Sequence, residues 1–377
     1  MRHRIPELVF CLLSLAAPLH AQNWGRYGVT IIKAPGFQPG FLGVNHSGQL
    51  AGSGSSGMGS VFSPGAGTSP LGTLGGSVTA AFGISDSGNI TGNSTTAGDR
   101  QYHAFLSRGG PLQDLGTVGG SNSFGYGVND AGAVAGFSET TGDIYQHAFR
   151  WSAGSMQDLG TLGGDFSYAY AINGSGQVAG FAYTPGNAAF HATRWNAGAQ
   201  DLGTLGGSDS YAFGINGSGA VTGQSFTAGD AQNHAFLTTG SSMQDLGTLG
   251  GTFSIGYGVS DAGQVVGESY STGDASYLAA LWESSGSGYA AYDFNSIVND
   301  GVVNSGWNII EARGISDDGQ YVSAYAYTDD NSYNGWVVLE ANAAVTATPE
   351  PATLALMATG LAGIAGAARR RKRPMPA

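Results

Sequence analysis

Apolar and polar positions alternate along the middle of this chain in short runs. Clusters of Gly, Asn, Asp and Ser separate them. Residues 211–216, 220–226, 234–237 and 243–249 show the form, with β-branched or aromatic side chains at about every second position. Such a period predicts strands, and runs this short predict many of them. The first two runs are joined by Asn216-Gly217-Ser218-Gly219. Equivalent joints stand at Asn129-Asp130-Ala131-Gly132 and Ser260-Asp261-Ala262-Gly263. Residues of these types accept the positive φ of a tight hairpin.

The pattern repeats. Asp-Leu-Gly-Thr-Leu-Gly-Gly begins at Asp158, with near copies from Asp114, Asp201, Asp245 and, with proline in first place, Pro70. The successive spacings are 44, 44, 43 and 44 residues. A second motif, Gly-Ile-Asn-x-x-Gly-x-Val-x-Gly, starts at Gly43, Gly83, Gly127, Ala171, Gly214, Gly258 and Gly314. A third, His-Ala-Phe, starts at His103, His147 and His234 and becomes His-Ala-Thr at His191. Three motifs in one order at one period define a repeat architecture. Four strands of ~6 residues and four loops of ~5 fill such a period, which is the size of a propeller blade. The array opens on a lone strand at 29–33 and closes on a third strand at 335–339. Pairing the two would close a ring, whereas an open solenoid would need capping repeats. The expectation is an all-β, seven-bladed β-propeller of four-stranded repeats over residues 25–340, followed by a linker at 341–348.

The termini differ from the middle. Arg2 and Arg4 precede an apolar run and small residues ending at Ala21, the order of a signal peptide over residues 1–21, cleaved on export. The single cysteine, Cys11, falls inside it, so the mature chain has neither thiol nor disulfide. At the other end stand Pro349, Glu350 and Pro351. An uncharged stretch at 352–368 follows, then Arg369, Arg370, Arg371, Lys372 and Arg373. As a helix the apolar stretch would be about 25 Å long, enough to span a bilayer core of ~30 Å with help from its flanks. The basic cluster would stop transfer and stay cytoplasmic.

This order of Pro-Glu-Pro, apolar helix and basic cluster at 349–373 resembles the PEP-CTERM sorting signal of Gram-negative bacteria. The resemblance implies a membrane-embedded exosortase as processing partner, after entry through the secretion translocon. It also implies a transient inner-membrane anchor, then the cell surface or extracellular matrix. The three repeated motifs resemble the HAF-family extracellular repeats of secreted bacterial proteins. That resemblance implies an extracellular setting and brings neither a catalytic site nor a ligand.

Charge sharpens the picture. Only 11% of the residues are charged, and 65 of 377 are glycine. Between the two signals 7 basic residues face 24 acidic ones, a formal charge of −17. A domain this acidic repels nucleic acid. The motif histidines and Asp114, Asp158, Asp201 and Asp245 recur identically, which predicts structural roles rather than metal ligation or catalysis. The loop aspartates Asp99, Asp143, Asp230 and Asp274 predict an acidic, weakly ordered rim with at most weak Ca²⁺ binding, since they lack the EF-hand ligand spacing. No other cofactor is expected. The repeat is interrupted at 284–289 and 297–307, near Glu283, Asp293, Trp307, Glu311 and Arg313. These five make a candidate sugar-binding patch. Around the channel the copies offer small and hydroxyl side chains, not the unlike polar groups of an enzyme. The sequence therefore predicts a non-enzymatic binding or structural module linked to exopolysaccharide or biofilm. A propeller hydrolase or lyase acting on polysaccharide is the competing reading.

Overall fold

The computed structural model describes residues 26–31, 38–53, 58–240, 242–286, 288–298, 306–330 and 332–342. Strand β1 (Tyr27–Ile31) opens the described chain. β2 (Gln38–Val44), β3 (Leu50–Ser53), β4 (Gly59–Ser63) and β5 (Gly67–Pro70) form one antiparallel sheet. β6 (Gly75–Ile84), β7 (Ile90–Thr96), β8 (Tyr102–Ser107) and β9 (Gln113–Asp114) form the next. β10 (Ser123–Val128), β11 (Val134–Glu139), β12 (Gln146–Ser152) and β13 (Ser155–Asp158) follow. After them come β14 (Ser167–Ile172), β15 (Val178–Tyr183), β16 (Phe190–Trp195) and β17 (Ala199–Asp201).

The following segment is different. β18 (Gly206–Ile215), β19 (Val221–Thr227), β20 (Asn233–Thr239) and β21 (Ser242–Gly247) share one sheet with β22 (Gly250–Val259), β23 (Val265–Ser271), β24 (Tyr277–Ser285) and β25 (Gly288–Asp293). A one-turn helix, α1 (Phe294–Ile297), leads on. The last sheet holds β26 (Trp307–Ile315), β27 (Tyr321–Thr328) and β28 (Asn334–Ala341), with β1 as its outer strand.

The expected seven separate blades are corrected here. Five sheets are separate four-stranded blades, and β18–β25 are a single eight-stranded sheet. The cause is local: Asn233 of β20 pairs in parallel with Phe253 of β22, which carries the backbone ladder from one repeat into the next. The expected signal helix and the C-terminal apolar helix lie outside the described residues. Among the described residues no helix is long and apolar enough to cross a membrane. Strands β1–β28 fall in a compact unit ending at Ala341. Of the second unit, Asn342–Ala377, the described residues include Asn342 alone.

The chain closes on itself. β1 pairs antiparallel with β28 in the register Tyr27↔Ala341 to Ile31↔Val337, so the first strand completes the last sheet. β26 packs against both β22 and β2. The inner strands β2, β6, β10, β14, β18, β22 and β26 thereby surround an axis.

The repeat motifs explain how sheets form and stack. In the third repeat the Asn129 side chain accepts the Ala133 amide at 2.9 Å, and Gly132 sits at φ 74° to turn the hairpin. The amide of Asn129 then donates to the Asn173 carbonyl of the next repeat at 2.9 Å. Asn173 donates to Asn216 and Asn216 to Ser260, both at 3.0 Å. These are buried bonds between neighbouring repeats, where an unmet polar group would cost several kcal/mol. Serine ties the same neighbours elsewhere: Ser167 accepts the Ala148 amide at 2.8 Å and donates to the Gly160 carbonyl at 2.7 Å. Apolar side chains fill the space between sheets. Ala104 and Leu106 of β8 meet Val134, Phe149 and Trp151 of the following sheet in one buried cluster. The Phe of each intact His-Ala-Phe motif, Phe105, Phe149 and Phe236, is wholly buried.

Candidate functional site

Each inner strand from β6 to β26 carries a β-bulge one residue before the Gly-Ile or Gly-Val step, or its Ala171-Ile172 equivalent. The pairing registers skip Tyr126 in β10, Tyr170 in β14, Phe213 in β18, Tyr257 in β22 and Arg313 in β26; in β6 they skip Phe82. A bulge leaves one residue out of the ladder and re-aims its side chain. The partner strand makes room for it. A Cβ on Gly136 would stand 1.8 Å from the Phe124 carbonyl oxygen, so only glycine fits opposite the bulge of β10.

The re-aimed side chains form a belt. Phe82 stacks on Tyr126 at 5.0 Å between centroids, and Tyr126 meets Tyr170 edge-on at 5.2 Å. Tyr170 and Phe213 lie 5.6 Å apart, as do Phe213 and Tyr257. Arg313 continues the arc with its guanidinium 4.3 Å from the Tyr257 ring centroid, a cation–π contact. Tyr126, Tyr170, Phe213, Tyr257 and Arg313 line a cavity of about 160 Å³. Its mouth carries Asp86, Asp130 and Asp317 from the hairpin turns.

The seventh repeat breaks the belt's chemistry. Glu311 and Arg313 stand where the fourth has Tyr168 and Tyr170, and they form an ion pair. Beside them Glu268 accepts the Tyr257 hydroxyl at 3.1 Å. Burial, then the charge of Glu311, pushes the Glu268 carboxyl up to about 7, against the opposing pull of Arg313. Two carboxylates in unlike settings thus flank one guanidinium in the cavity wall.

At the mouth the aspartates link neighbouring turns. Asp86 accepts the His46 amide at 2.8 Å, Asp130 the Ser87 amide at 2.7 Å and Asp261 the Gly217 amide at 2.7 Å. His46 bridges the seam of the ring: its Nδ1 lies 3.0 Å from Asp86, and its Nε2 accepts the Asp318 amide at 3.2 Å. Partial burial, then the charges of Asp86 and Asp261, pushes the Asp317 carboxyl up to about 6.

The five residues of the interruption patch are not brought together. Glu283 binds Arg26 at 2.6 Å and Gln264 at 2.7 Å. Asp293 caps α1 through the Asn295 amide at 2.9 Å. Trp307 packs on Tyr333 at 4.9 Å. Of the five, Arg313 lines the cavity and Glu311 pairs with it. Pro349, Glu350, Pro351 and the cluster from Arg369 to Arg373 lie outside the described residues. The aromatic belt differs from the small and hydroxyl residues expected around the channel. Glycines do line it, and the signal for the rest was the residue just before the Gly-Ile step, aromatic in five successive copies.

Each repeated histidine is held by a carboxylate, and His147 also bonds the backbone of Asp165. His103, His147, His191 and His234 each place Nδ1 2.8–3.0 Å from Asp114, Asp158, Asp201 and Asp245 of the same repeat. Each aspartate also accepts the amide two residues on, as Asp158 does from Gly160 at 2.8 Å. Asp114, Asp158 and Asp201 end their outer strands, and Asp245 stands two residues before the end of β21. The loop aspartates are likewise engaged, contrary to the expected weak order: Asp143 takes the Ser121 amide at 2.6 Å and the Ser121 hydroxyl at 2.7 Å.

The His147 clip has a pH signature. The Asp158 hydrogen bond raises the His147 pKa against the effect of burial. Burial pushes Asp158 up, but the bonds from His147 and Gly160 outweigh it and its pKa falls. The histidine's contribution is complete below its unfolded pKa of ~6.5 and is lost as pH rises through the raised folded value. The aspartate's is complete above ~3.9 and is lost as pH falls through the lowered value. His147→Gln should therefore cost about 1 kcal/mol between pH 4 and 6.5, and less at pH 8. Urea melts at pH 5.5 and 8 check this; an equal loss at both would refute the clip's charged character.

Comparison with known proteins adds one identification. The PEP-CTERM protein-sorting motif matches residues 347–372. That motif implies export, a transient C-terminal membrane anchor and processing by an exosortase. No curated protein matches the chain. Among solved structures, TolB from Acinetobacter baumannii is 13% identical, over 67% of this chain and 63% of its own, with a TM-score of 0.39. YCF48 bound to D1 peptide is 10% identical, over 86% and 98%, with a TM-score of 0.48. A putative oxidoreductase (glucose dehydrogenase) from Thermus thermophilus is 9% identical, over 83% and 99%, with a TM-score of 0.37.

Proposed function

We propose that this chain is an exported, non-enzymatic module that binds extracellular polysaccharide at the cell surface or in the matrix. In this reading its repeats are of the HAF type. The N-terminal signal takes it through the translocon, and exosortase processing at 349–373 releases the propeller from the inner membrane. The observation that carries the reading is the pairing of a sorting motif with a propeller whose motif residues serve its own turns and strand contacts. The HAF histidines and the Asp-Leu-Gly aspartates hold each other. What remains for recognition is the axial cavity.

One observation favours the enzymatic alternative. Glu268 and Glu311 are two carboxylates with unlike environments, one of the features that glycoside hydrolysis uses. A single experiment separates the readings. The purified protein is incubated with the host's extracellular polysaccharide, and co-sedimentation and new reducing ends are measured together. Binding with no new reducing ends is expected. Release of reducing ends that Glu268→Gln abolishes would establish the hydrolase instead.

A further inference from the structure

The axial cavity has a chemistry that neither the sorting motif nor the repeat pattern assigns. Its floor is aromatic, built by bulges that turn Tyr126, Tyr170 and Tyr257 out of their ladders. Its mouth is acidic, and the guanidinium in its wall is already paired with Glu311. An aromatic surface and carboxylates around one cavity attract the same kind of group, a cation on a carbon skeleton.

We infer that the cavity binds a primary ammonium group, its charge among Asp86, Asp130 and Asp317 and its carbon skeleton against the belt of Tyr126, Tyr170 and Tyr257. The inference rests on the binding-module reading and narrows it to ligands that carry free amines. Amino sugars of a de-acetylated polysaccharide and aliphatic amines share this chemistry. Three features agree with it. The cavity of about 160 Å³ suits one small ring or a short chain. The mouth carboxylates crowd one another, which a bound cation would relieve. Arg313 lies on the face of Tyr257, so the aromatic belt already accommodates one cationic side chain.

Binding should weaken with acid. Asp317 faces Asp86, Asp130, Asp261 and His46, with Asp318 next in the chain, and its carboxyl sits at about 6. Below that pH it protonates and the attraction falls. Salt should weaken binding as well, because the mouth is open to solvent.

The test is calorimetry on the purified full chain with four probes: glucosamine, N-acetylglucosamine, cadaverine and 1,5-pentanediol. At pH 7.5 the two amines should bind at least tenfold more tightly than their neutral counterparts, and whichever amine binds better names the source. Asp317→Asn should weaken the amines at least fivefold with an unchanged melting temperature. Glu340→Gln, a charge change at an exposed site on β28, should leave them unaffected. Neutral probes binding as well as the amines, or sodium and calcium chloride competing as well as cadaverine, would overturn the inference. Polysaccharide binding that persists without any amine preference would do so too, while leaving the binding-module reading intact.

Discussion

Deletion of residues 22–35 is expected to destabilise the entire propeller, although it removes only one short strand. β1 is the outer strand of the sheet that closes the ring. Tyr27 is 2% exposed and meets Phe294 edge-on at 5.4 Å within the largest apolar cluster. The Arg26 amide bonds to the Ile297 carbonyl at 2.7 Å, and the Arg26 guanidinium holds Glu283 at 2.6 Å. Losing the buried tyrosine costs ~2–3 kcal/mol. The lost ladder bonds add about 1 kcal/mol each. A total of about 5 kcal/mol is a large share of ordinary domain stability. The expected result is a melting temperature lower by about 10 °C in one cooperative transition. A peptide of residues 25–34 added in trans should restore part of it. An unchanged melt would mean that β1 is a dispensable tail and that the ring does not depend on it.

Much of this fold was readable in the residues, for definable reasons. Asn, Asp and Gly at the hairpin joints mark positive φ directly, and Gly132 and Gly219 adopt it at 74° and 83°. Three strands of the fifth repeat fall within two residues of the expected bounds, because the alternation that predicts them is the alternation that packs them, whereas β18 starts at Gly206, five residues before the expected 211. The ring closure was legible from its unmatched ends, with β1 beginning at Tyr27 rather than 29. The joining of β20 to β22 was not legible. It depends on how closely Asn233 and Phe253 approach in space, which no local pattern encodes.

The site was legible only in part. Interruptions in the repeat drew attention to Glu283, Asp293 and Trp307, but each is held in a different local contact. Arg313 and Glu311 mattered for another reason. Arg313 replaces a residue that is aromatic in the five preceding copies, Glu311 stands where Phe124, Tyr168 and Tyr211 stand in three of them, and a bulge turns Arg313 toward the axis. Position-by-position comparison of the seven motif copies carries that signal, whereas loop length does not.

Export of this propeller and its release by processing at the C-terminal motif, which matches at 347–372, can be tested directly. Arg369 to Arg373 should hold the chain in the inner membrane, since carrying five cations across hydrocarbon is costly. Proline at 349 and 351 disfavours helix at those positions, which should leave the processing segment accessible. The measurement is cell fractionation with intact mass, comparing the natural chain with a variant lacking residues 349–351. The natural protein should appear outside the inner membrane, shortened at its C-terminus, and the variant should remain uncut in the inner membrane. If both mature to the same mass in the same place, the segment is an anchor only and the sorting account fails.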